Sequence, residues 1–433
     1  MNRHKEQLKK QPNSRGLAGQ IVSQWLKTSD FPERLLESYV FENRAFIMEL
    51  VYGIVRWKRA LEWITAEYVH RMPTLELQAL IFVGLYQILF MTNVDAYAAV
   101  NETVNEVKNS CSGHGRQAQG EANFVNAILR RVLREKESII QKLHAQPIGI
   151  QQSHSDCLIE RWNRHFGEKA TQHLCKWNNN RPNAMIRINH LKTTRNKYLS
   201  MLNDANIKIL PNSAQTNEWL SLAHGTRIKD LPGYQEGYFL ILDPSTGMAV
   251  DLLNPQPGNH VLDACAAPGG KTFLIAERMQ KQGQLKAIDL YQDRISRLME
   301  NLRRLGCDDF VDVIQGDAEK LIKTDSYDRI LLDVPCTNTG VIRRKPDIRW
   351  RFSENRLAKI NNLQRTILGC GLNLLKPGGQ LVYSTCSLEP EENEYLISKC
   401  LAKRTDIHLV EERKTFPPVS KTDGVYVALL QKT

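Results

Sequence analysis

Three apolar stretches of the sequence each end in a short turn that carries a cysteine. Cys265 lies in LDACAAPGGKT, Cys336 in LLDVPCTNTG and Cys386 in LVYSTCSLEPEEN. A thiolate is a strong nucleophile, and a turn after a buried strand can present one to a substrate. The alternative for any single cysteine is a structural role, because a free cysteine packs as a small apolar residue. We expect Cys336 and Cys386 to be reactive, and Cys265 to be mainly a packing residue.

The turn that contains Cys265 also has the features of a ligand cradle. Gly269 and Gly270 let the backbone approach a ligand closely just before a helix begins. The spacing matches neither the dinucleotide pattern GxGxxG nor the P-loop pattern GxxxxGK[ST], which disfavours both kinds of site. Asp289 ends the second predicted strand, about twenty residues after the glycines, where a carboxylate suits ribose hydroxyls. Asp317 ends the third and suits an adenine amino group, although either acid alone is more often a helix cap.

The elements that must position these residues alternate between strand and helix from about Pro244 onward. Such alternation predicts a mostly parallel sheet with helices on both faces, and ligands bind at the carboxyl ends of its strands. The tail GVYVALL predicts a last strand that is antiparallel and lies at the sheet edge. The other predicted strands are HVLDACA, QLKAIDL, DVIQGD, YDRILLDVP and GGQLVYSTC.

Two further parts precede that region in the chain of 433 residues. Residues 1–142 have apolar positions at helical spacing and no alternating runs, which predicts an all-α domain. Residues 143–243 contain two short strand patterns, AMIRINH and IKIL, around one helix pattern, which predicts a small α/β module. Residues 244–433 then form the third domain.

The charge balance favours a polyanionic partner, with nucleic acid as the leading candidate. Lys plus Arg number 58 and Asp plus Glu number 47, which gives a net charge of +11. Arg130, Arg131 and Arg134 crowd one helix, either as a solvated basic face or as RNA contacts. VIRRKPDIRWR, residues 341–351, interleaves basic residues with Trp350 directly after the Cys336 turn. That mixture suits an RNA backbone and an unstacked base, while an ordinary surface charge run is the alternative.

Several classes of protein are disfavoured by what the sequence lacks. The 9 cysteines form no CxxC pair and no Cys/His cluster at zinc spacing, so we expect neither disulfides nor a metal site. The first residues have no apolar core typical of a secretory signal. ALIFVGLYQILFM is too short to span a bilayer and reads as a buried helix. We therefore expect a cytoplasmic protein with no membrane partner, and a monomer.

Four stretches together resemble the S-adenosylmethionine-dependent RNA cytosine-C5 methyltransferases of the Sun (Fmu) family: DACAAPGGKT, LLDVPCTNTG, RRKPDIRW and YSTCSLEPEENE. The helical segment resembles the NusB-like RNA-binding domain of one subfamily, most closely at FVNAILRR. The resemblance covers most of the chain. It implies a multidomain protein with a NusB-like domain, a small α/β module and a Rossmann-like class I methyltransferase domain, whose mostly parallel sheet has seven strands. Val334 and Thr337-Asn338 depart from the family's usual residues without removing a reactive group.

The same resemblance implies the cofactor, the substrate and the roles of individual residues. S-adenosylmethionine would donate a methyl group to carbon 5 of a cytosine in 16S ribosomal RNA of the small subunit. Cys386 would add to carbon 6, Cys336 would assist product release and Asp333 would stabilise the ring. DNA cytosine methyltransferases use the Pro-Cys thiol as the nucleophile, so the reversed assignment stays open. The residues implied for the cofactor pocket are Cys265, Ala266, Ala267, Pro268, Gly269, Gly270, Lys271, Asp289, Asp317 and Asp333.

We make two further predictions about charged residues near the thiols. Lys271 is a cation that we expect to lower a thiol pKa. Glu391, Glu392 and Glu394 follow Cys386 in the sequence, and we expect them mainly to cap the next helix, whose N-terminus attracts negative charge.

Other functions fit parts of the same pattern. A non-catalytic RNA-binding scaffold would use the NusB-like segment and bind the cofactor without reaction. A DNA or small-molecule methyltransferase would share the cofactor site but leave the basic helical domain unexplained. A cytosine-C5 methyltransferase that acts on another RNA, such as tRNA, is the nearest alternative.

Overall fold

A computed structural model of the chain describes residues 13–40, 42–110, 116–211, 218–321 and 327–433. The chain divides into two compact units. The first comprises Met1–Asn179 together with Arg349–Arg351, and the second comprises Asn180–Ile348 and Phe352–Thr433. The domain bounds set at residues 142/143 and 243/244 remain predictions.

The first unit is helical, as the spacing of its apolar residues predicts. Its first helix is capped by Asn13, whose side chain accepts hydrogen bonds from the backbone N–H groups of Arg15 and Gly16. The stretch ALIFVGLYQILFM lies in the fourth helix except for its last residue, Met91, and is buried along most of its length, which confirms the prediction of a core helix. The helices are α1 (Ser14–Thr28), α2 (Pro32–Glu37), α3 (Arg44–Ala66), α4 (Leu75–Phe90), α5 (Ala96–Ser110), α6 (Arg116–Arg134), α7 (Lys136–His144), α8 (Ile148–Gln151), α9 (Asp156–Phe166) and α10 (Glu168–Asn179).

The second unit begins with a small antiparallel sheet, and one helix packs on it. The order of its strands is β2-β3-β1-β4. Ile186, Tyr198 and Phe239 are fully buried in the core between helix and sheet. This arrangement confirms the predicted small α/β module. The elements are β1 (Met185–Ile188), α11 (Arg195–Asp204), β2 (Ile209–Leu210), β3 (Trp219–Leu222) and β4 (Phe239–Ile241).

A larger sheet follows, and within the described residues it has seven strands in the order β10-β11-β9-β8-β5-β6-β7. Five adjacent strands, from β9 to β7 in that order, pair in parallel, so their carboxyl ends share one edge of the sheet. This confirms the predicted mostly parallel sheet. The strands are β5 (His260–Ala264), β6 (Gln284–Asp289), β7 (Val311–Gln315), β8 (Tyr327–Asp333), β9 (Leu375–Thr385), β10 (Ile407–Lys414) and β11 (Tyr426–Lys432).

The position of the last strand corrects one prediction. β11 is antiparallel, as predicted, but it pairs with β9 on one side and β10 on the other. The edge strand on this side of the sheet is β10, whose sequence IHLVEERK carries charges that suit an exposed sheet edge. Its single short apolar run gave no clear strand signal in the sequence.

Helices connect the parallel strands and cover the large sheet. Tyr383 on β9 and Phe273 on a covering helix are both fully buried, so each face of the sheet contributes to a core. The helices after the small module are α12 (Pro244–Leu253), α13 (Gly270–Arg278), α14 (Gln292–Leu305), α15 (Ile348–Arg351), α16 (Glu354–Asn373), α17 (Glu394–Leu401) and α18 (Pro417–Ser420). Of these, α15 does not cover the sheet, because Arg349–Arg351 belong to the first unit.

Candidate active site

The loop between β5 and α13 has the backbone conformation that its sequence predicts. Gly269 has φ 103°, in the left-handed region that favours glycine. A Cβ atom there would lie 2.7 Å from the side chain of Leu298. The glycine is therefore required both by the turn and by the close approach of α14.

Asp289, at the end of β6, holds this loop in place. Its buried carboxylate accepts a hydrogen bond of 3.1 Å from the backbone N–H of Ala267. Arg294 donates a bond of 2.8 Å to the carbonyl of Ala267 and lies 3.4 Å from the same carboxylate. Asp317, at the end of β7, accepts from the backbone N–H of Glu319 and caps a short 3₁₀ turn. Both acids thus have structural partners in addition to the ligand roles predicted for them.

A cavity of about 280 Å³ lies beside the loop. The predicted cofactor residues that line it are Cys265, Ala266, Ala267, Pro268, Gly270, Lys271 and Asp333. Gly269, Asp289 and Asp317 are not among its lining residues. A larger cavity of about 500 Å³, lined by residues such as Arg187, Trp219 and Met248, contains none of the predicted site residues.

Asp263 also lines the smaller cavity, and the sequence prediction of the site did not include it. Its side chain is fully buried, and burial raises its pKa to about 7 although Thr272 donates a hydrogen bond to Oδ2. The other oxygen, Oδ1, has no hydrogen-bond partner. A buried acceptor without a partner beside a cavity is a candidate ligand contact.

An ion pair lies at the junction between the loop and the end of β8. Lys271 Nζ is 2.6 Å from Asp333 Oδ2. Burial lowers the pKa of Lys271, but attraction to Asp333 and to Cys386 outweighs burial, and the pKa is raised overall. The lysine is therefore a protonated cation near the thiols, as predicted.

The two thiols predicted to react lie next to each other. Cys336 follows β8, Cys386 follows the adjacent parallel strand β9, and their sulfur atoms are 3.8 Å apart. The pKa of Cys386 is lowered, first by the hydrogen bond that Cys336 donates and also by Lys271 and Lys345. The same bond, together with burial, raises the pKa of Cys336. Cys386 is therefore the thiol that ionises, which is the property of a nucleophile.

Cys265 differs from these two thiols in its surroundings. Burial, reinforced by the nearby carboxylates, raises its pKa well above the usual range of a thiol. It is thus a neutral, weakly nucleophilic side chain, consistent with a packing role.

Asn338 touches the sulfur atoms of both Cys336 and Cys386, which the sequence prediction did not anticipate. Its Oδ1 atom lies 3.4 Å from the sulfur of Cys386 and 3.7 Å from that of Cys336. Its backbone is in the left-handed region, with φ 62°, which an asparagine tolerates better than most residues. The departure from the family's usual residue at this position therefore places an amide against the reactive pair.

The acids after Cys386 correct another prediction. Glu394 lies in the first turn of α17, as expected for a residue that interacts with a helix N-terminus. Glu392 does not act in this way, because it ends a separate 3₁₀ turn and is fully buried. Its carboxylate accepts hydrogen bonds from the residues that follow both thiols, Thr337 and Ser387.

The basic segment after Cys336 is only partly available to a substrate. Arg344 bridges Asp243 and Asp423, at 2.6 Å from each. Arg349 is fully buried in the first unit and donates to the carbonyl of Arg56 and to other acceptors, so its predicted contact with RNA is wrong. Lys345 is exposed and close enough to act on the pKa of Cys386.

The described residues contain neither a metal cluster nor a membrane-spanning helix. No group of three or more His, Cys, Asp or Glu side chains with metal-binding geometry occurs among them. No helix in the described part of the chain has the length and apolar character needed to cross a membrane.

Known families match each part of the chain. The family described as 16S rRNA methyltransferase RsmB/F matches residues 250–431. The NusB family matches residues 12–134, and a ferredoxin-like domain of RsmF/B-like methyltransferases matches residues 154–228. A crystal structure of the protein PH0851 has a TM-score of 0.79 at 24% identity, over 97% of this chain and 99% of that one. A structure of NSun6 from Pyrococcus horikoshii with SFG has a TM-score of 0.59 at 23% identity, over 64% and 98%.

The fold and these matches define an S-adenosylmethionine-dependent methyltransferase of the RsmB/F type. Ribosomal RNA small subunit methyltransferase B of Salmonella arizonae is 35% identical over 98% of this chain and 100% of that protein. The chain belongs to the family of that enzyme. The predicted cofactor, the NusB-like domain and the methyltransferase domain are thereby confirmed.

Proposed function

We propose that the protein methylates carbon 5 of a cytosine in 16S ribosomal RNA through a covalent bond between Cys386 and carbon 6. The observation that carries this proposal is the pair of thiols on adjacent strand ends, 3.8 Å apart, in which Cys336 donates its S–H to Cys386. Carbon 5 of cytosine becomes nucleophilic only after a nucleophile adds to carbon 6, so the reaction needs a thiolate at this place.

The residues of the β5–α13 loop fit the methyl donor. Asp263 offers a buried oxygen without a partner, which suits a cationic amino group, and the glycine turn leaves space beside the backbone. When bound, S-adenosylmethionine supplies an electrophilic methyl group. The residues that would hold it are Asp263, Cys265, Ala266, Ala267, Pro268, Gly269, Gly270, Lys271, Asp289, Asp317 and Asp333.

Addition of the thiolate pushes electron density onto the ring nitrogen and the exocyclic amine of the cytosine. The ring nitrogen takes up a proton from solvent as this happens, and Asp333 accepts a hydrogen bond from the resulting N–H and so stabilises the adduct. Lys271, 2.6 Å from the same carboxylate, holds Asp333 in position. Both side chains lie near Cys386, because each contributes to its electrostatic surroundings.

Release of the product requires loss of the proton on carbon 5, a role that we assign to Cys336. Its pKa is raised first by its hydrogen bond to Cys386, then by burial and by the charge of Cys386. When Cys386 binds carbon, the bond and the charge both disappear, so the pKa of Cys336 falls; its thiol then loses its proton to solvent, and the resulting thiolate takes the proton from carbon 5. After the proton leaves, the bond between sulfur and carbon 6 breaks and the double bond of the ring is restored.

The test is transfer of a tritiated methyl group to 16S ribosomal RNA from a strain that lacks the gene. After digestion to nucleosides, we expect the label to co-elute with 5-methylcytidine, and transfer RNA and DNA of equal length to remain unlabelled. Label in another nucleoside, or preferential labelling of transfer RNA, would contradict the proposal.

We further propose that the protein works as a monomer in the cytoplasm. The described cysteines are all free thiols, which a reducing compartment maintains. Size-exclusion chromatography and cell fractionation check this; a dimer or a periplasmic location would contradict it.

A further inference from the structure

Glu392 lies at the centre of a buried hydrogen-bond network that no residue role assigned above requires. Its side chain has no exposed surface. Oε1 accepts from the backbone N–H of Thr337 at 2.8 Å and from Gln364 at 2.9 Å. Oε2 accepts from the hydroxyls of Thr337 and Ser387. Four donors on two oxygens suit an ionised carboxylate, which accepts and does not donate.

The donors place this network between the two thiol loops. Thr337 follows Cys336 directly, and Ser387 follows Cys386 directly. The bonds therefore connect the loop after β8 to the loop after β9, although Glu392 and Thr337 are 55 residues apart in the sequence.

Neighbouring side chains extend the network to the other sides of both cysteines. Gln364 also donates to the carbonyl of Pro335, the residue before Cys336, at 2.9 Å. Asn393 accepts from the hydroxyl of Thr385 at 2.6 Å and donates to the carbonyl of Ser387 at 2.9 Å. The residues that flank the two thiols are thus held by Gln364, Glu392 and Asn393.

Charge supports the same arrangement. Glu392 is one of the groups that raise the pKa of Cys336, after the hydrogen bond to Cys386, burial and the charge of Cys386. The charged groups that face Cys386 from other elements are Asp333, Lys271 and Lys345. The negative charge of Glu392 thus acts on the thiol that should keep its proton.

We propose that Glu392 is a positioning residue, which holds the two thiol loops against each other and keeps the shared proton on Cys336, so that Cys386 is the ionised sulfur. The use made of that thiolate rests on the proposed function. The arrangement of the two thiols does not rest on it, so the positioning role of Glu392 and the proposed function can be tested separately.

The experiment compares the rates at which iodoacetamide alkylates Cys386 and Cys336 in the full-length protein without RNA, from pH 6 to 9. Peptide mass spectrometry reads each cysteine separately. Glu392→Gln keeps the shape of the side chain and removes its charge. Glu394→Gln is the matched control, because the Glu394 carboxylate pairs with Lys414 and takes no part in the hydrogen bonds that hold the thiol loops.

In the unaltered protein and in Glu394→Gln we expect alkylation at Cys386 and protection of Cys336. In Glu392→Gln we expect the ratio of the two rates to fall by at least about tenfold, because the proton no longer favours Cys336. Glu392→Asp, which keeps the charge, should restore part of the ratio. An unchanged ratio in Glu392→Gln would overturn the proposal.

A second pair of variants covers the case in which Glu392→Gln does not fold. Thr337→Val and Ser387→Ala each remove one donor to the carboxylate and retain the others, and each should lower the same ratio by a smaller factor. If neither does, the proposal is wrong. If the ratio changes as expected but Cys386→Ala still methylates RNA, the positioning role stands and the proposed use of Cys386 fails.

Discussion

The cofactor side and the thiol side of the active site lie on the same edge of the large sheet, but they are held together in different ways. On the cofactor side, the β5–α13 loop is fixed by backbone conformation at Gly269 and by bonds between Asp289 and nearby backbone groups. On the thiol side, two loops are joined through the buried side chain of Glu392.

This difference predicts how each side of the site responds to amino-acid substitution. A loop held by its own backbone tolerates substitution of the side chains around it, provided that its glycine remains. A pair of loops held by one buried carboxylate depends on every donor to it, because loss of a donor leaves a buried oxygen without a hydrogen-bond partner. The thiol side is therefore expected to be the more sensitive of the two.

The largest expected effect falls on the thiol side. Cys386→Ala removes the nucleophile, so methyl transfer to 16S ribosomal RNA should fall by at least about a thousandfold. Tritium incorporation measures it. Cys370→Ala, which changes a thiol outside the site, is the control and should retain activity. Substantial activity of Cys386→Ala would show that the thiols do not act as proposed.

A large effect on stability is expected on the cofactor side. The pKa of Asp263 rises from 3.8 to about 7 on folding, so the native state binds more protons than the unfolded state between those values. Its contribution to the free energy of unfolding is thus present below about pH 4 and lost as the pH rises through about 7. Asp263→Asn should raise the free energy of unfolding at pH 8 by up to about 4 kcal/mol.

Urea unfolding at pH 5 and pH 8 checks this prediction, and the gain at pH 5 should be clearly smaller. Asp309→Asn is the control, because that carboxylate lies on the surface beside Lys281 and should give no gain. If Asp263→Asn is equally stabilised at pH 5 and pH 8, or is destabilised at pH 8, Asp263 does not carry a buried, destabilising charge.

An intermediate effect is expected where the two sides meet. Asp333→Asn removes the charge opposite Lys271 and weakens stabilisation of the ring, so kcat should fall by about a hundredfold. The KM for RNA should change little, because the contact between Asp333 and the ring becomes strong only in the adduct and contributes little to RNA binding. Single-turnover kinetics with radiolabelled donor measure both; an effect confined to KM would place Asp333 in RNA binding instead.

The sequence predicts the cofactor side of the site more completely than the thiol side. The cofactor side has a local signature, since the turn, its glycines and the following helix are contiguous, and Asp289 ends the next strand. The thiols were also predicted, because each follows an apolar strand. These features depend on short stretches of chain, which a sequence displays directly.

The contacts that hold the thiol side were not predictable in the same way. The sequence predicts that Glu392 caps a helix, because Glu391, Glu392 and Glu394 lie at the start of a helix pattern. Nothing nearby in the sequence indicates that Glu392 is bonded to Thr337. Arg349 read as an exposed basic residue, although it is buried among backbone carbonyls. Asp263 gave no sign that one of its oxygens lacks a partner. Burial and long-range pairing decide each case, and neither appears in a short pattern.

The smallest expected effect tests one bond of the network. Ser387→Ala removes one hydroxyl donor to Glu392 and leaves the others, so the free energy of unfolding should fall by about 1 kcal/mol. Thermal unfolding measures the loss, with Ser398→Ala on α17 as a control of the same type. A loss much larger than that from Asp289→Asn on the cofactor side would sharpen the comparison; no loss at all would weaken it.

The most direct test of the account is the covalent bond itself. Cys336→Ala should trap the protein on 16S ribosomal RNA in the presence of S-adenosylmethionine, because the nucleophile still adds but the proton on carbon 5 is not removed. A denaturing gel should show the adduct, and mass spectrometry should find the RNA fragment on the peptide that contains Cys386. An adduct through another residue, or no adduct from a variant that still binds RNA, would contradict the account.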